Sequence, residues 1–199
     1  MSNEFVVVVL SREKFLSLDN TKDLEGYTAK FLEDSIFLDP RFKNLGARLI
    51  INLEKLHLSL KKLDLKIANV KDYYKLSHEL GVAQIDTQNL QNKIFGIECN
   101  FIEMNGIDLK KGCYVGQENT SRINLKNKLS KRLMPIKIIN GKVNEGDKIL
   151  NNNNEIGKVL IDNEYPFGVI KFLNNKLDSK TEYKSENSTL KIISQKWIK

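Results

Sequence analysis

The sequence is poor in the residues that build disulfide frameworks and metal sites. It has two cysteines, Cys99 and Cys113, and two histidines, His57 and His78. The cysteines are too far apart for a paired-ligand motif, and the histidines are isolated from them and from each other. We therefore expect reduced thiols rather than a disulfide, and no bound metal ion.

Long apolar runs are also lacking. The longest, Phe5 to Leu10, has the length of a strand and could not span a membrane. It has neither a basic flank nor a cleavage signal, so it does not resemble a signal peptide. We therefore expect a cytoplasmic protein with no membrane partner. A chain of 199 residues, 41% of them apolar, can form one large or two small domains.

Arginine is scarce, and the net charge of +7 comes mainly from lysines spread along the whole chain. A basic surface favours a polyanionic partner such as nucleic acid. A merely solvated, lysine-rich surface explains the charge equally well. Composition alone therefore leaves a nucleic-acid partner weakly supported.

The first half of the chain mixes strand and helix patterns. The apolar, β-branched run 5–10 predicts a strand buried on both faces. The leucines of 53–67 fit both strand alternation and one helical face, and the leucine and lysine content favours a helix. Asp72 is predicted to cap a helix that ends before Gly81. The elements predicted are strands at 35–38 and 47–52 and helices at 13–18, 53–67, 73–80 and 117–128.

After Ser130 short strand candidates follow one another closely, separated by glycine- and asparagine-rich turns. They are predicted at 133–139, 148–150, 156–161, 168–172 and 189–193. Such spacing is typical of a small antiparallel sheet or barrel. We therefore predict an α+β region at 1–130 and a C-terminal β-barrel domain at 131–199.

The segment 111–118, which reads K-G-C-Y-V-G-Q-E, has the clearest chemical character. Glycines on both sides of Cys113 permit a sharp turn and close approach of a ligand. A cysteine near a helix N-terminus, with Lys111 close by, should have thiolate character. The alternative is a small buried residue in a tight turn.

This segment resembles the signature K-G-C-Y-x-G-Q-E of the YgfZ family, which is related to the aminomethyltransferase (T-protein) of the glycine cleavage system. The resemblance extends to the segments 39–41, 45–48, 80–82, 105–108 and 131–135, and so covers about residues 5 to 193. It implies an α+β fold around a folate cavity, followed by a C-terminal β-barrel. It also implies tetrahydrofolate as cofactor, whose polyglutamate tail a basic surface would suit.

The resemblance implies an accessory factor for assembling or maintaining iron–sulfur enzymes, which are indirectly linked to tRNA modification. Iron–sulfur enzymes or their assembly factors would be its partners. Cys113 would be the functional thiol. The residues implied in folate binding are Lys111, Gly112, Tyr114, Gly116, Gln117, Glu118, Arg122 and Glu98.

Several of these residues have structural alternatives. Arg122 could hold a carboxylate, or pair with Glu118 one helical turn away. Glu98 could accept hydrogen bonds from a pterin, or be a turn carboxylate, and Cys99 is expected only to pack. Tyr73 and Tyr74 could stack on a pterin or a base, although core packing is the commoner role. Residues 39–41 are expected to be structural.

Two further expectations concern completeness and competing functions. Family members usually carry a further N-terminal third, so the folate site is expected to be incomplete, and an exposed sheet edge would favour a homodimer.

An aminomethyltransferase is the first alternative, although such enzymes lack the signature cysteine. A tRNA-binding module is the second, supported only by charge. We expect a non-catalytic folate-binding factor.

Overall fold

The computed structural model describes residues 4–112, 129–171 and 181–197 of the chain. The chain divides into two compact units, Met1–Tyr73 and Tyr74–Lys199. The barrel described below begins at Lys131. The functional division into 1–130 and 131–199 stays a prediction.

The first unit contains a four-stranded antiparallel sheet. Its strands are β1 (Phe5–Leu10), β2 (Thr28–Phe31), β3 (Asp34–Leu38) and β4 (Ala47–Asn52), in the order β1-β4-β3-β2. Helix α1 (Arg12–Leu16) follows β1, and α2 (Leu53–Lys62) follows β4. Helix α3 (Val70–Glu79) begins in this unit and ends in the next. No helix among the described residues is long and apolar enough to cross a membrane.

One face of this sheet carries the core of the first unit. Alternate residues of a strand point to the same face, and here they bury Leu10, Ile36, Leu38, Ala47, Leu49 and Ile51. Phe15 of α1 is fully buried among them. Helices α1 and α2 both start at side-chain caps. Ser11 Oγ accepts from Lys14 N at the start of α1, and Asn52 Oδ1 accepts from Glu54 N at the start of α2. The caps set where each strand turns into the helix that covers the sheet.

The structure corrects three local predictions in this region. Strand β1 is not buried on both faces, because it lies at the edge of an antiparallel sheet and exposes Phe5, Val7 and Val9. Helix α2 ends at Lys62, short of the predicted residue 67. Helix α3 begins at Val70, and Asp72 lies in its first turn rather than at its cap. The left-handed Gly81 (φ 78°) after α3 confirms the predicted helix stop.

The second unit contains a closed six-stranded barrel, which confirms the predicted C-terminal β-barrel. Its strands are antiparallel in the order β10-β5-β8-β7-β6-β9. They are β5 (Lys131–Gly141), β6 (Lys148–Asn151), β7 (Asn154–Ile161), β8 (Phe167–Lys171), β9 (Tyr183–Ser185) and β10 (Ser188–Ile192). The short strands β2 and β9 were not predicted, since neither carries a long enough apolar pattern. Met134, Ile136, Ile149, Ile170 and Leu190 fill the interior.

A second apolar layer lies on the outside of the barrel. Leu133, Ile161 and Phe167 are buried there together with Cys99. Residues of the preceding segment, among them Leu90 and Ile94, pack against this layer. The chain between α3 and the barrel therefore lies on the barrel wall and carries Cys99 into contact with it.

Gly46 provides a direct test of the first unit's geometry. Its φ is +87°, and a Cβ there would lie 2.1 Å from the carbonyl oxygen of Leu10. Because its ψ is −162°, Gly46 has a backbone conformation that essentially only glycine adopts. We expect Gly46→Ala to combine a backbone strain of roughly 1 to 3 kcal/mol with an overlap costing roughly 1 to 3 kcal/mol more. Chemical denaturation measures both terms together.

Gly26 is the matched control for that variant. Its φ is +74°, yet a Cβ there would approach Pro40 Cβ only to 3.7 Å. Gly26→Ala should therefore show the strain without the overlap. Equal losses in the two variants would contradict the close approach of β1 to Gly46.

Candidate functional site

The structure describes only part of the predicted signature. Lys111 and Gly112 are described, and both are exposed. After Gly112, the next residue that the structure describes is Leu129. The predicted site residues that lie outside the described ranges are Cys113, Tyr114, Gly116, Gln117, Glu118 and Arg122, together with the predicted helix 117–128. Their roles stay predictions.

Glu98 lies in a turn that packs against the first barrel strand. Its side chain is buried, and Oε2 accepts from the backbone N–H of Phe95 at 2.9 Å. The ammonium of Lys131 lies 3.4 Å from Oε1. The carbonyl of Glu98 accepts from the N–H of Leu133 at 2.8 Å. The residue therefore has a structural role in this turn, and Oε1 is its less engaged oxygen.

Asn100 connects the same turn to the barrel. Its side chain is almost fully buried, and its backbone adopts a left-handed conformation with φ 64°. The amide Nδ2 donates to the carbonyl of Leu133 at 2.9 Å, and Oδ1 accepts from Arg132 Nη1 at 3.0 Å. Asparagine tolerates this conformation better than most residues. One side chain therefore fixes the turn to residues 132 and 133.

Arg132 and Glu103 complete this cluster. Arg132 Nη1 also donates to Glu103 Oε1 at 2.5 Å. The second oxygen, Glu103 Oε2, is buried and has no hydrogen-bond partner in the described structure. Buried acceptors are usually satisfied. A ligand N–H group is one donor that would satisfy this carboxylate.

We name the group of Glu98, Asn100, Glu103, Lys131 and Arg132 the turn–barrel cluster. Two carboxylates face two cations in it, so it is close to electrically balanced. Its carboxylate oxygens can accept hydrogen bonds beyond those already made. The cluster lies on either side of the signature in sequence, at residues 98–103 before it and 131–132 after it.

Cys99 lies in the same turn but is chemically quiet. Its thiol is buried against the barrel wall. Burial, aided by the nearby charge of Glu98, raises its pKa to about 11. The reactive form of cysteine is the thiolate. Cys99 is therefore a packing residue at neutral pH, in agreement with its expected role.

The first unit contains a separate, tightly bonded charge cluster. Asp39 is almost fully buried, and its two oxygens accept from Arg41 Nε at 3.0 Å and Nη2 at 2.8 Å. Arg48 Nε donates to Asp39 Oδ2 at 3.0 Å. The hydroxyl of Tyr73 accepts from Nη2 of Arg48 at 3.1 Å and of Arg41 at 3.4 Å. Tyr73 therefore braces two guanidinium groups.

This geometry favours the ionised form of Asp39. Burial alone would raise its pKa, but hydrogen bonds from Arg41 and the charges of Arg41 and Arg48 hold the pKa below the usual value. Because the pKa of Asp39 is lower in the folded than in the unfolded chain, its ionisation stabilises the fold. This contribution is complete above about pH 4, where aspartate is ionised in the unfolded chain as well. That stability is lost as the pH falls through the folded pKa.

A small cleft in the second unit gathers aromatic side chains around His78. It is lined by Tyr74, Ser77, His78, Val82, Gln84, Ile85, Asn163, Tyr165 and Phe167. His78 Nε2 donates to the carbonyl of Pro166 at 3.0 Å, and burial lowers its pKa. The Tyr74 and Tyr165 rings lie 6.3 Å apart. Tyr74 is therefore packed against another aromatic ring.

Metal ligation has no structural candidate in the described ranges. No group of three or more His, Cys, Asp or Glu side chains there is arranged to hold an ion.

The chain is similar in sequence to proteins named as mitochondrial iron–sulfur cluster assembly factors. No known family profile matches the sequence. The chain is 33% identical over 105 residues to the mitochondrial iron–sulfur cluster assembly factor IBA57 homolog of Dictyostelium discoideum, a match covering 51% of this chain and 25% of that protein. It is 30% identical over 100 residues to mitochondrial IBA57 of Mus musculus, covering 50% and 27%. The match spans about a quarter of these relatives.

Among solved structures, the chain is similar to the glycine cleavage system aminomethyltransferase T from Bartonella henselae. The TM-score is 0.61 at 13% identity, and the match covers 94% of this chain and 56% of that one. The fold is aminomethyltransferase-like. This confirms the predicted fold class, an α+β region followed by a β-barrel.

The comparison overturns one expectation. The relatives named above are mitochondrial proteins, as is the Neurospora crassa homolog, 33% identical over 97 residues and covering 49% of this chain and 22% of that protein. The expected cytoplasmic location is therefore wrong. It rested on the lack of an export signal, which carries no information about import into an organelle.

Sequence reasoning identified Glu98 but assigned no role to Asn100, Glu103 or Arg132. Arg132 was noted only as part of the segment 131–135. An asparagine in a left-handed turn is a recognisable signal, but its partners lie more than thirty residues further along the chain. Only the fold could show that this turn meets the barrel.

The Asp39 cluster generates a stability prediction. We expect Asp39→Asn to lower the free energy of unfolding at pH 7 by roughly 3 kcal/mol, because two guanidinium groups lose their shared anion. The variant should also lose less stability than the parent chain below about pH 4. Urea denaturation between pH 3 and pH 7 measures both effects.

The matched control is Asp23→Asn. Asp23 also accepts from an arginine and a lysine, but at an exposed position. Surface pairs contribute little, so this variant should resemble the parent chain. An Asp39→Asn variant as stable as Asp23→Asn would contradict the role of the buried anion.

Proposed function

We propose that this chain acts in iron–sulfur cluster assembly or maintenance, as a tetrahydrofolate-binding accessory factor of the YgfZ type. The observation that carries the proposal is the 30–33% identity, over half of the chain, to proteins named as iron–sulfur cluster assembly factors. Those relatives are mitochondrial, so we also propose a mitochondrial location. Iron–sulfur enzymes or their assembly factors would be the partners, with any link to tRNA modification indirect.

The turn–barrel cluster fits one end of a folate. A pterin presents an amino group and a ring N–H side by side, and carboxylates are the natural acceptors for such a pair. Glu98 has one less engaged oxygen, and Glu103 has a buried oxygen with no partner among the described residues. These two carboxylates would hold the pterin, and the signature residues would take part in folate binding.

Cys113 supplies the functional thiol in this proposal. Lys111 and Gly112, the two described residues of the signature, are exposed. Cys99 is the opposite case, since its raised pKa leaves it protonated. The chain thus offers two cysteines fourteen residues apart with contrasting expected roles.

An aminomethyltransferase remains the enzymatic alternative, because the fold is that of such enzymes. The signature cysteine argues for an accessory factor instead.

For a nucleic-acid partner, the barrel offers one specific observation: lysines lie directly opposite each other on neighbouring strands at three places, 131/171, 137/191 and 148/158. Opposed like charges repel, but each pair includes a lysine that lies near a carboxylate, which offsets part of that repulsion: Lys131 near Glu98, Lys148 near Glu155 and Lys191 near Glu182. An RNA mobility shift that disappears with added salt would support this alternative.

Complementation tests the proposed role of the thiol. In cells lacking their own family member, we expect Cys113→Ala to restore less than a tenth of the iron–sulfur enzyme activity that the parent chain restores. The expected cause is loss of the thiol with the fold intact. Expression level and thermal stability of the purified variant check that condition.

Cys99→Ala is the internal control. It removes a buried thiol that is not ionised, so activity should survive apart from a modest loss of stability. Full complementation by Cys113→Ala would contradict the proposal. Loss of solubility together with activity in Cys113→Ala would show a packing role instead.

A further inference from the structure

The end of helix α3 is fully capped, and half of the cap comes from a distant part of the chain. An α-helix leaves its last four carbonyl groups without partners inside the helix. Here the carbonyls of residues 77–78 accept from the N–H groups of Val82 at 2.8 Å and Gly81 at 2.9 Å. This pair of bonds around a left-handed glycine is a common way for a helix to stop. The carbonyls of residues 79–80 need other donors.

Residues 194–197, which we name the α3 latch, supply those donors. Gln195 is buried, and its Nε2 donates to the carbonyl of Glu79 at 3.0 Å. The indole Nε1 of Trp197 donates to the carbonyl of Leu80 at 3.2 Å. These partners are 116 and 117 residues apart in sequence, and all of them belong to the second unit. A segment that follows the barrel therefore completes a helix that precedes it.

The latch and the helix end are also closely packed. A Cβ added at Gly81 would lie 2.9 Å from Cγ of Gln195 and 3.0 Å from Cζ2 of Trp197. Both side chains therefore lie directly over the glycine that stops the helix. Ser194 and Lys196, which alternate with them, are exposed. The latch thus presents one face to α3 and the other to solvent.

The strand pairing of the barrel is complete without the latch. Its six strands pair between Lys131 and Ile192. The N–H of Ile193 extends the pairing of β10 with β5 by donating to the carbonyl of Pro135 at 2.9 Å. Residues 194–197 lie beyond this pairing, so their release leaves it intact and transfers two helix carbonyls to water. Such local openings need less free energy than unfolding of the whole domain.

We propose that the α3 latch opens locally, leaving the end of α3 while the barrel stays folded. In the closed form all four terminal carbonyls of the helix have partners. In the open form the carbonyls of residues 79–80 bond to water, and the last helical turn frays more readily. Ser77 and His78 lie in that turn and line the aromatic cleft. The latch therefore controls how ordered this wall of the cleft is.

Trp197 reports on the latch directly, because it is the one tryptophan of the chain. Gln195→Ala removes the other side-chain donor to the helix end, so the open form should be more populated. We expect acrylamide to quench the tryptophan fluorescence of this variant about twofold more strongly than that of the parent chain. Lys196→Ala, on the exposed face of the latch, is the matched control and should behave as the parent chain. Equal quenching in Gln195→Ala and Lys196→Ala would contradict the proposal.

Native-state hydrogen exchange separates latch opening from unfolding. The amide of Val82 reports on the end of α3, and the amide of Ile136, which donates to the carbonyl of Pro166 at 2.9 Å, reports on the barrel. In Gln195→Ala, exchange at Val82 should become about tenfold faster, while exchange at Ile136 stays within about twofold of its rate in the parent chain. Equal acceleration at both amides would show that latch and barrel unfold together and would overturn the proposal, as would unchanged exchange at Val82.

Discussion

The hydrogen bonds of Asn100 are the constraint on which the candidate site depends. Its amide joins a turn before the signature to Leu133 and Arg132 at the start of the barrel. Because the side chain is almost fully buried, losing either bond would leave a polar group unsatisfied. The barrel therefore contributes to the candidate site, since its first strand fixes the turn that carries Glu98.

The requirement that buried polar groups find partners also distinguishes the carboxylates of the first unit from those of the second. In the first unit one buried carboxylate, Asp39, gathers two arginines and is fully engaged by them. In the second unit the carboxylates of Glu98 and Glu103 are shared with cations less completely, and one oxygen of Glu103 has no partner in the described structure. A saturated cluster stabilises the fold, whereas an unsaturated one can accept a ligand. This contrast makes the turn–barrel cluster the better candidate for a ligand site.

Sequence reasoning succeeded where a pattern is local. Strand β4 has the predicted bounds, and the five barrel strands predicted after Ser130 are present because apolar alternation and turn residues specify them. It failed for β1, since a β-branched run does not reveal whether its strand lies in the centre or at the edge of a sheet. It also missed Glu103 and Arg132, whose pairing depends on chain segments that meet only in the folded protein.

The most direct test is calorimetric titration of the chain with tetrahydrofolate, alongside Glu98→Gln and the barrel-surface variant Glu155→Gln. Glutamine retains an oxygen for the N–H of Phe95 but removes the charge. Binding at about micromolar affinity is expected for the parent chain and Glu155→Gln, and a dissociation constant about tenfold higher, or about 1.4 kcal/mol, for Glu98→Gln. A folded chain that does not bind, or a Glu98→Gln variant that binds as tightly as the parent, would contradict the proposed folate site.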